Sequence, residues 1–291
     1  MLSDYLLKAK NEKRAIGHFN FTTADVLRAV AESVKELNVP VLVGTSEGER
    51  SFLGLKQAVH LIRSYRDEGL SIFLAADHTK SFEEAKKAVD GGYDYILIDG
   101  SELPFDDNVN LTRQVFEYAK NKSVSWRTEV LVEGELGYLK GKSEIQEKIK
   151  ISRDDFTKPE EAREFVTKTG VDALAIVFGN IHGIVAGQKE KLDFETLKKI
   201  NQAIPETFLV LHGGSGLNDD DIRESIKNGI VNVHINTEIR VAYQNALAAY
   251  LKENPKETTP YKYLEPAMQA AKRVVRQKLE LFSSPIEVKP L

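Results

Sequence analysis

Short runs rich in Val, Ile, Leu and Phe recur along the chain at 15–20, 39–44, 71–76, 94–99, 130–135, 172–178, 208–212 and 230–235. Runs this short, apolar at nearly every position, predict strands buried on both faces of a parallel sheet. Amphipathic stretches separate them. In the first, Leu27, Val30, Val34 and Leu37 fall at helical spacing and define one apolar face. Helix ends are punctuated to match. Ser81-Phe82-Glu83-Glu84 reads as a capping box with Gly91 closing the helix, Thr157-Lys158-Pro159-Glu160 repeats the device with a stop near Gly170, and Asn218 caps a helix that stops at Gly229. Eight β-then-α units within 291 residues, with no Pro/Gly/Ser-rich linker, predict one α/β domain over 1–291. The architecture expected is a closed (β/α)8 TIM barrel with a C-terminal helical extension, in preference to an open doubly wound sheet. The polar stretch 252–262 is a connector before that last helix.

Two connections are longer than this architecture requires: Tyr138 to Phe156, dense in charge, and Ile184 to Leu192, with Gly187 and several lysines. Both follow strands on the face where barrel active sites lie, so they read as lids, with solvated surface loops as the alternative. Charge narrows the partner. The net charge is -4 with signs interspersed, so there is no basic stripe for nucleic acid and no basic amphipathic face for a membrane. The absence of cysteine excludes disulfides, Cys-type zinc sites and thiol nucleophiles. The N-terminal segment lacks the unbroken apolar region of a signal peptide and no window approaches a membrane span. A cytoplasmic protein acting on a small molecule is the expectation.

The six histidines carry the candidate chemistry. His78, His182 and His212 each sit at or just after the end of a predicted strand, in AADH, VFGNIHG and LVLHGGSG. Strand ends converge on one barrel mouth, so three imidazoles far apart in sequence can meet around one ion. A three-histidine site with an open position is a catalytic zinc geometry, in which the metal acts as a Lewis acid. Any one of them taken alone reads better as a structural histidine; jointly they do not. His18, in HFNF, and His60, on a helix, read as structural, while His234 at the eighth strand end is the rival for a metal position.

Carboxylates surround these positions. Asp77 directly precedes His78, and neighbouring strand residues point to opposite faces unless the strand ends there. If the chain turns at that point, Asp77 enters the pocket as an acid or base; otherwise it is a loop or cap carboxylate. Asp99 ends the fourth strand, and Glu133 and Glu135 share one face of the fifth. Carboxylates at a barrel mouth are costly to bury unpaired, so these read as metal ligands, their supporting partners or catalysts. In His212-Gly213-Gly214-Ser215-Gly216 the glycines let backbone N–H groups approach an anion and Ser215 adds a hydroxyl donor, with Asn236 and Thr237 supplying further donors from the eighth strand end. These two strand ends build the common phosphate site of such barrels.

In order, HFNF, GTSEGE, AADH, IDGSELPFDDN, VEGELG, TKPEEAREFV, FGNIHG, LHGGSG and VHINTEIR run nearly end to end. Together they resemble class II, metal-dependent aldolases of the fructose-/tagatose-bisphosphate type. The resemblance implies that His78, His182 and His212 bind catalytic Zn2+, with Glu135 near or in the metal shell. It allows a second divalent ion and a monovalent cation near the phosphate, and Asp99 joins Glu135 among the candidate metal residues. Asp77 is implied as the acid that protonates the aldehyde oxygen in condensation and deprotonates the C4 hydroxyl in cleavage. Gly183, Gly213, Gly214, Ser215, Asn236 and Thr237 are implied to hold the ketose phosphate, and Asn20 and Ser46 to contact substrate or support the site. Relatives of this type are usually dimers or tetramers, so a homodimer or homotetramer is expected.

The chain departs from the family pattern in places that bear on the substrate. His234 stands where the family usually has Asn, in contact with the reacting part of the substrate, and Ala186 where a lysine often follows HG, leaving Lys189 as a substitute. The spacing of the loop glutamate that takes the C3 proton lands on Ser143, beside Glu144, which is the candidate. A C-terminal arginine for the second phosphate is Arg276 or Arg273. Cleaving a bond beside a carbonyl needs a Schiff-base lysine or a metal, and the sixth strand, DALAIVFGNIHG, carries no lysine. The reading is reversible cleavage of fructose 1,6-bisphosphate to dihydroxyacetone phosphate and glyceraldehyde 3-phosphate. The alternatives are an aldolase for tagatose bisphosphate or another phosphorylated ketose, and a non-catalytic sugar-phosphate-binding barrel.

Overall fold

The computed structural model describes residues 1–126, 128–147, 149–185 and 190–284. Its first half runs α1 (Leu2–Glu12), β1 (Ile16–Asn20), α2 (Ala24–Leu37), β2 (Val41–Thr45), α3 (Glu47–Leu53), α4 (Leu55–Asp67), β3 (Ile72–Thr79), α5 (Phe82–Gly91), β4 (Tyr95–Ile98), α6 (Phe105–Trp126) and β5 (Leu131–Leu136). The second runs β6 (Gly141–Gln146), a 3-10 turn at Arg153–Asp155, α7 (Pro159–Thr169), β7 (Ala173–Ile176), β8 (His182–Val185), α8 (Phe194–Ala203), β9 (Phe208–Leu211), α9 (Asp219–Lys227), β10 (Ile230–Ile235), α10 (Thr237–Glu253) and α11 (Pro260–Ser283).

The eight apolar runs are the eight strands of a closed parallel barrel, in the order β1-β10-β9-β7-β5-β4-β3-β2. The closing seam pairs β1 with β10, Ile16 opposite Asn232 and His18 opposite His234. Strand alternation sorts the interior into layers. Ile16, Leu42, Ala75, Leu131 and Val210 join Leu2, Leu6 and Ala9 of α1 in one buried cluster, so α1 plugs the N-terminal end. Two residues further along the same strands, on the same face, come His18, Gly44, Asp77, Glu133 and His212. The barrel is thus apolar at its base and polar at its C-terminal mouth. A second and larger cluster lies between the strands and the surrounding helices, and includes Leu27, Val30 and Val34 of α2 as the helical spacing predicted. Burying each such side chain stabilises the fold by about 1.5–3 kcal/mol. Helix α11 packs against α2, α10 and β1. Among the described residues, no helix is long and apolar enough to cross a membrane.

Four details differ from the expectation. Gly92, not Gly91, adopts the left-handed conformation that closes α5 (φ 96°). Lys158, not Thr157, is the N-cap of α7, because Thr157 is drawn into the barrel, where its hydroxyl donates to Leu136 O and accepts from Val177 N. β3 continues to Thr79. The two long connections contain β6 and β8, which pair in parallel as a ribbon outside the barrel. His182 therefore opens β8, beyond the end of β7 at Ile176, rather than ending a barrel strand.

Candidate metal centre

The site begins with an irregularity in β3. Pairing with β4 slips register between Ala76 and Thr79, and His78 takes φ 40°, a conformation uncommon for any residue but glycine. The bulge breaks strict alternation, so Asp77 and His78 line one pocket together with Asn20, His182, Gly183, His212, Gly213, Ser215, His234, Asn236 and Thr237. Arg50 of α3, 6% exposed, braces the bulge. Its guanidinium donates to the carbonyls of Thr45 and Asp77 and to Thr79 Oγ1. Sequence reasoning missed Arg50, because in Glu-Gly-Glu-Arg-Ser it reads as one more charge on a solvated turn of helix.

His78, Glu135, His182 and His212 each offer a ligand atom, all within 4.8 Å of one another. Ring centroids of His78 lie 5.0 Å from those of both His182 and His212. Two of the rings are held from behind by carboxylates. His78 Nδ1 is 3.0 Å from Asp99 Oδ2, and Asp99 accepts in addition from the Ser101 hydroxyl and amide. His212 Nε2 is 2.8 Å from Glu133 Oε1, while the Tyr95 hydroxyl donates to Glu133 Oε2 at 2.7 Å. Carboxylate–imidazole couples of this kind fix the tautomer and aim the other nitrogen at a metal. Glu133 and Tyr95 thus act through His212.

Charge in the cage is unevenly distributed. Burial disfavours a charged His78, but Asp77, Asp99 and Glu135 outweigh burial and lift it to about 10. Burial, reinforced by the charge on His78, pushes His182 and His212 down to about 3. Burial raises Glu133 to about 8 in spite of Tyr95, and holds Glu135 well above the usual carboxylate range. Two buried atoms, Glu135 Oε2 and His212 Nδ1, lie 4.0 Å apart with no hydrogen-bond partner. Leaving such atoms unpaired is costly, and a shared cation satisfies both at once. Three imidazoles with a carboxylate are a fitting donor set for a divalent transition metal.

Beside the cage, His18, Asp77 and His234 form a second buried group. Asn20 Nδ2 donates both to Asp77 Oδ2 at 2.8 Å and to Glu49 Oε2 at 2.9 Å, which leaves Asp77 Oδ1 buried and without a partner. Burial raises Asp77, but the imidazoles of His78, His18 and His212 and the Asn20 amide hold it at about 2. Burial keeps His18 at about 4 and His234 well below its ordinary value. On the opposite side, Gly183 (φ 81°) and Gly213 (φ 68°) bring bare backbone into the pocket. A Cβ on Gly213 would stand 1.8 Å from Ile181 O. Ser215 Oγ accepts from the backbone N–H groups of Asn236 and Glu238, so its own hydrogen is free to donate into the pocket, at the N-terminus of α10.

Other expected residues lie elsewhere. Asp99 stands behind His78 and is not in the four-residue ligand group. Ser46 is the N-cap of α3, accepting from Glu49 N, and does not line the pocket. Glu144 is exposed on β6. Arg276 lies on the outside of α11, paired with Glu36 and Glu280, because α11 packs against α2 and not over the mouth; Arg273 is exposed there as well. Ala186, Gly187 and Lys189 lie outside the described residues.

Fold and cage together define a barrel built around a divalent-cation centre at its C-terminal mouth. More specifically, residues 1–285 match the family model of class-II fructose-bisphosphate aldolases, and the chain belongs to that family. It is 34% identical over 289 residues to fructose-bisphosphate aldolase of Staphylococcus aureus, covering 97% of this chain and 96% of that one. It is 35% identical over 281 residues to the GatY subunit of D-tagatose-1,6-bisphosphate aldolase of Klebsiella oxytoca, covering 95% and 94%. Among solved structures, the YdjI aldolase of Escherichia coli K12 superposes with a TM-score of 0.81 at 28% identity, covering 98% and 97%. Fructose-bisphosphate aldolase of Campylobacter jejuni superposes at 0.79 with 20% identity over 97% and 93%, a likeness of fold. The protein is an aldolase, a carbon–carbon lyase of a metal-dependent class.

Proposed function

We propose that this protein catalyses the reversible, zinc-dependent aldol cleavage of a ketose 1,6-bisphosphate, fructose 1,6-bisphosphate first, to dihydroxyacetone phosphate and glyceraldehyde 3-phosphate. The observation that carries the proposal is the partnerless pair, Glu135 Oε2 and His212 Nδ1, 4.0 Å apart within the four-residue ligand group, with a third partnerless atom, Asp77 Oδ1, in the pocket that His212 also lines. In this reading His78, His182 and His212 hold Zn2+ with Glu135 beside it. The bound ion supplies positive charge at the ketose carbonyl oxygen. Ser215 Oγ, the backbone of Gly183, Gly213 and Thr237 and the side chain of Asn236 bind the phosphate, while Gly214, its N–H held by His234 O, lets the chain turn close to it. Asp77, ionised and steadied by Asn20, takes the C4 hydroxyl proton in cleavage and returns it in condensation. Glu144 is proposed for the C3 proton, since its strand β6 pairs with β8, which carries His182. A second divalent ion, a monovalent cation by the phosphate, a cytoplasmic setting, a homodimer or homotetramer and a single functional domain complete the proposal.

Tagatose bisphosphate is the second reading, favoured by the likeness to the Klebsiella oxytoca subunit. A barrel that binds sugar phosphate without turnover is not favoured, because the cage is intact. The test uses protein stripped by chelator and reloaded with zinc. Cleavage of fructose and tagatose bisphosphates is then compared as kcat/KM. Activity is expected to vanish on stripping and return with zinc. Turnover persisting in excess chelator, or a lysine adduct trapped by borohydride, overturns the mechanism.

A further inference from the structure

The barrel closes where β1 meets β10, and that seam sets two histidines side by side. His18 and His234 are register partners, with His18 Nδ1 2.7 Å from His234 Nε2 and ring centroids 3.7 Å apart. His18 is 0% and His234 8% exposed, so water does not compete for the bond. One proton lies between the two nitrogens, and the surroundings decide which ring owns it. The other nitrogen of His234, Nδ1, lies 3.7 Å from Asp77 Oδ1, the buried carboxylate oxygen without a partner. A bare Nδ1 would set a lone pair against that oxygen, whereas a protonated Nδ1 sets a donor toward it. His234 therefore carries its hydrogen on Nδ1, its Nε2 accepts, and His18 is the donor of the short bond. The remaining nitrogen, His18 Nε2, has no partner and faces Gly44, where a Cβ would come within 2.2 Å. The ring of His234 is steadied further by stacking on His212, centroids 4.0 Å apart at 24°.

We propose that His18 is a positioning residue that locks His234 in the tautomer donating from Nδ1 into the pocket, so that His234 and Asp77 together grip one substrate hydroxyl oxygen. The inference rests on the aldolase reading: the oxygen is the hydroxyl whose proton moves to Asp77. His234 keeps its own hydrogen throughout and donates it to the negative charge that develops on that oxygen. The pocket thereby demands a hydroxyl at this carbon, oriented to face donor and acceptor at once. A ketose phosphate epimeric there offers its oxygen on the wrong side.

Two measurements test this. Zinc-loaded wild-type protein with 15N-labelled histidine is expected to show a protonated Nδ1 and a bare Nε2 on both His18 and His234; a protonated Nε2 on His234 overturns the proposal, and this reading needs no variant to fold. The variants H18N and H18L separate positioning from packing, because the asparagine Nδ2 overlays the imidazole Nδ1 and can donate the same bond while leucine cannot. H18L is expected to lose about 10- to 100-fold in kcat with KM and zinc content within about threefold of wild type. H18N is expected to stay within about threefold of wild-type kcat. Leucine nearly fills the imidazole volume and asparagine leaves a void, so packing alone would penalise H18N more; a kcat loss in H18N equal to or greater than that in H18L overturns the proposal. A wild-type protein that cleaves no ketose phosphate sinks the functional reading, and the tautomer spectrum still decides the inference.

Discussion

Replacing Glu133 by glutamine probes whether His212 is built as a ligand. The substitution keeps shape and removes one acceptor. Burial favours a protonated Glu133 in the metal-free cage; once zinc binding strips that proton, its carboxylate accepts from Tyr95, at 2.7 Å, and from His212 Nε2, at 2.8 Å, which leaves His212 Nδ1 bare toward Glu135. The amide offers one oxygen and one NH2 group. With its oxygen toward Tyr95, the NH2 meets His212 Nε2 and drives the imidazole hydrogen onto Nδ1, the atom meant for metal. With its oxygen toward His212, the NH2 confronts the Tyr95 hydroxyl, which gives up its acceptor in a site that is 0% exposed. Either arrangement weakens zinc binding, by about 10- to 100-fold for a residue of this kind, or about 1.4–2.8 kcal/mol. Competition against a chromophoric chelator reads the affinity directly. Adding Y95F removes the conflict and should recover most of the loss, a coupling that a double-mutant cycle isolates. The reasoning is refuted if E133Q binds zinc within about threefold of wild type, or if the double variant binds no tighter than E133Q.

Zinc loading at pH 7 should release about three protons per ion, from His78, Glu135 and the Glu133–His212 couple, since His78, Glu133 and Glu135 are all held protonated in the metal-free cage; calorimetry in buffers of different ionisation enthalpy counts them, and no release counts against the charge pattern. Gly44→Ala should destabilise the fold by about 1–3 kcal/mol in denaturant titrations, since the new Cβ falls 2.2 Å from His18 Nε2 and 2.9 Å from Asn20 Oδ1; wild-type stability would show that the seam can yield. Glu190→Gln tests burial at the second long connection. Glu190 accepts from Ile181 N, and burial raises its carboxyl to about 8 from the ordinary 4.5. The folded protein thus favours the neutral acid, and the wild type loses stability as pH rises from about 4.5 to about 8. The amide does not titrate, so the advantage of Glu190→Gln in thermal melts should grow through that window; a difference flat with pH contradicts the burial.

The sequence by itself determined the barrel and the members of the cage. Apolar runs separated by amphipathic stretches specify buried parallel strands and covering helices wherever they occur, because burial depends on local pattern. His78 and His212 stand at or beside strand ends, and all strand ends of a barrel open on one mouth. Three things were settled only by the tertiary structure. The bulge that turns Asp77 and His78 into one pocket depends on β4 and on Arg50 reaching in from α3. His182 reaches the cage on a ribbon whose strands, GKSEIQ and HGIV, are too short and polar to announce themselves and form only by pairing with each other. The His18–His234 bond depends on the register at which the barrel closes, joining residues 216 positions apart. His18 read as a structural histidine on its own strand, since nothing local distinguishes a packed imidazole from one that aims another. A C-terminal arginine for the second phosphate, Arg276 or Arg273, was expected from the resemblance alone; the packing of α11 on α2 points Arg276 at Glu36 and Glu280. Local pattern fixes which segments are buried and which strand ends can meet; the partner across a seam, and the proton between two rings, are decided by register and enclosure.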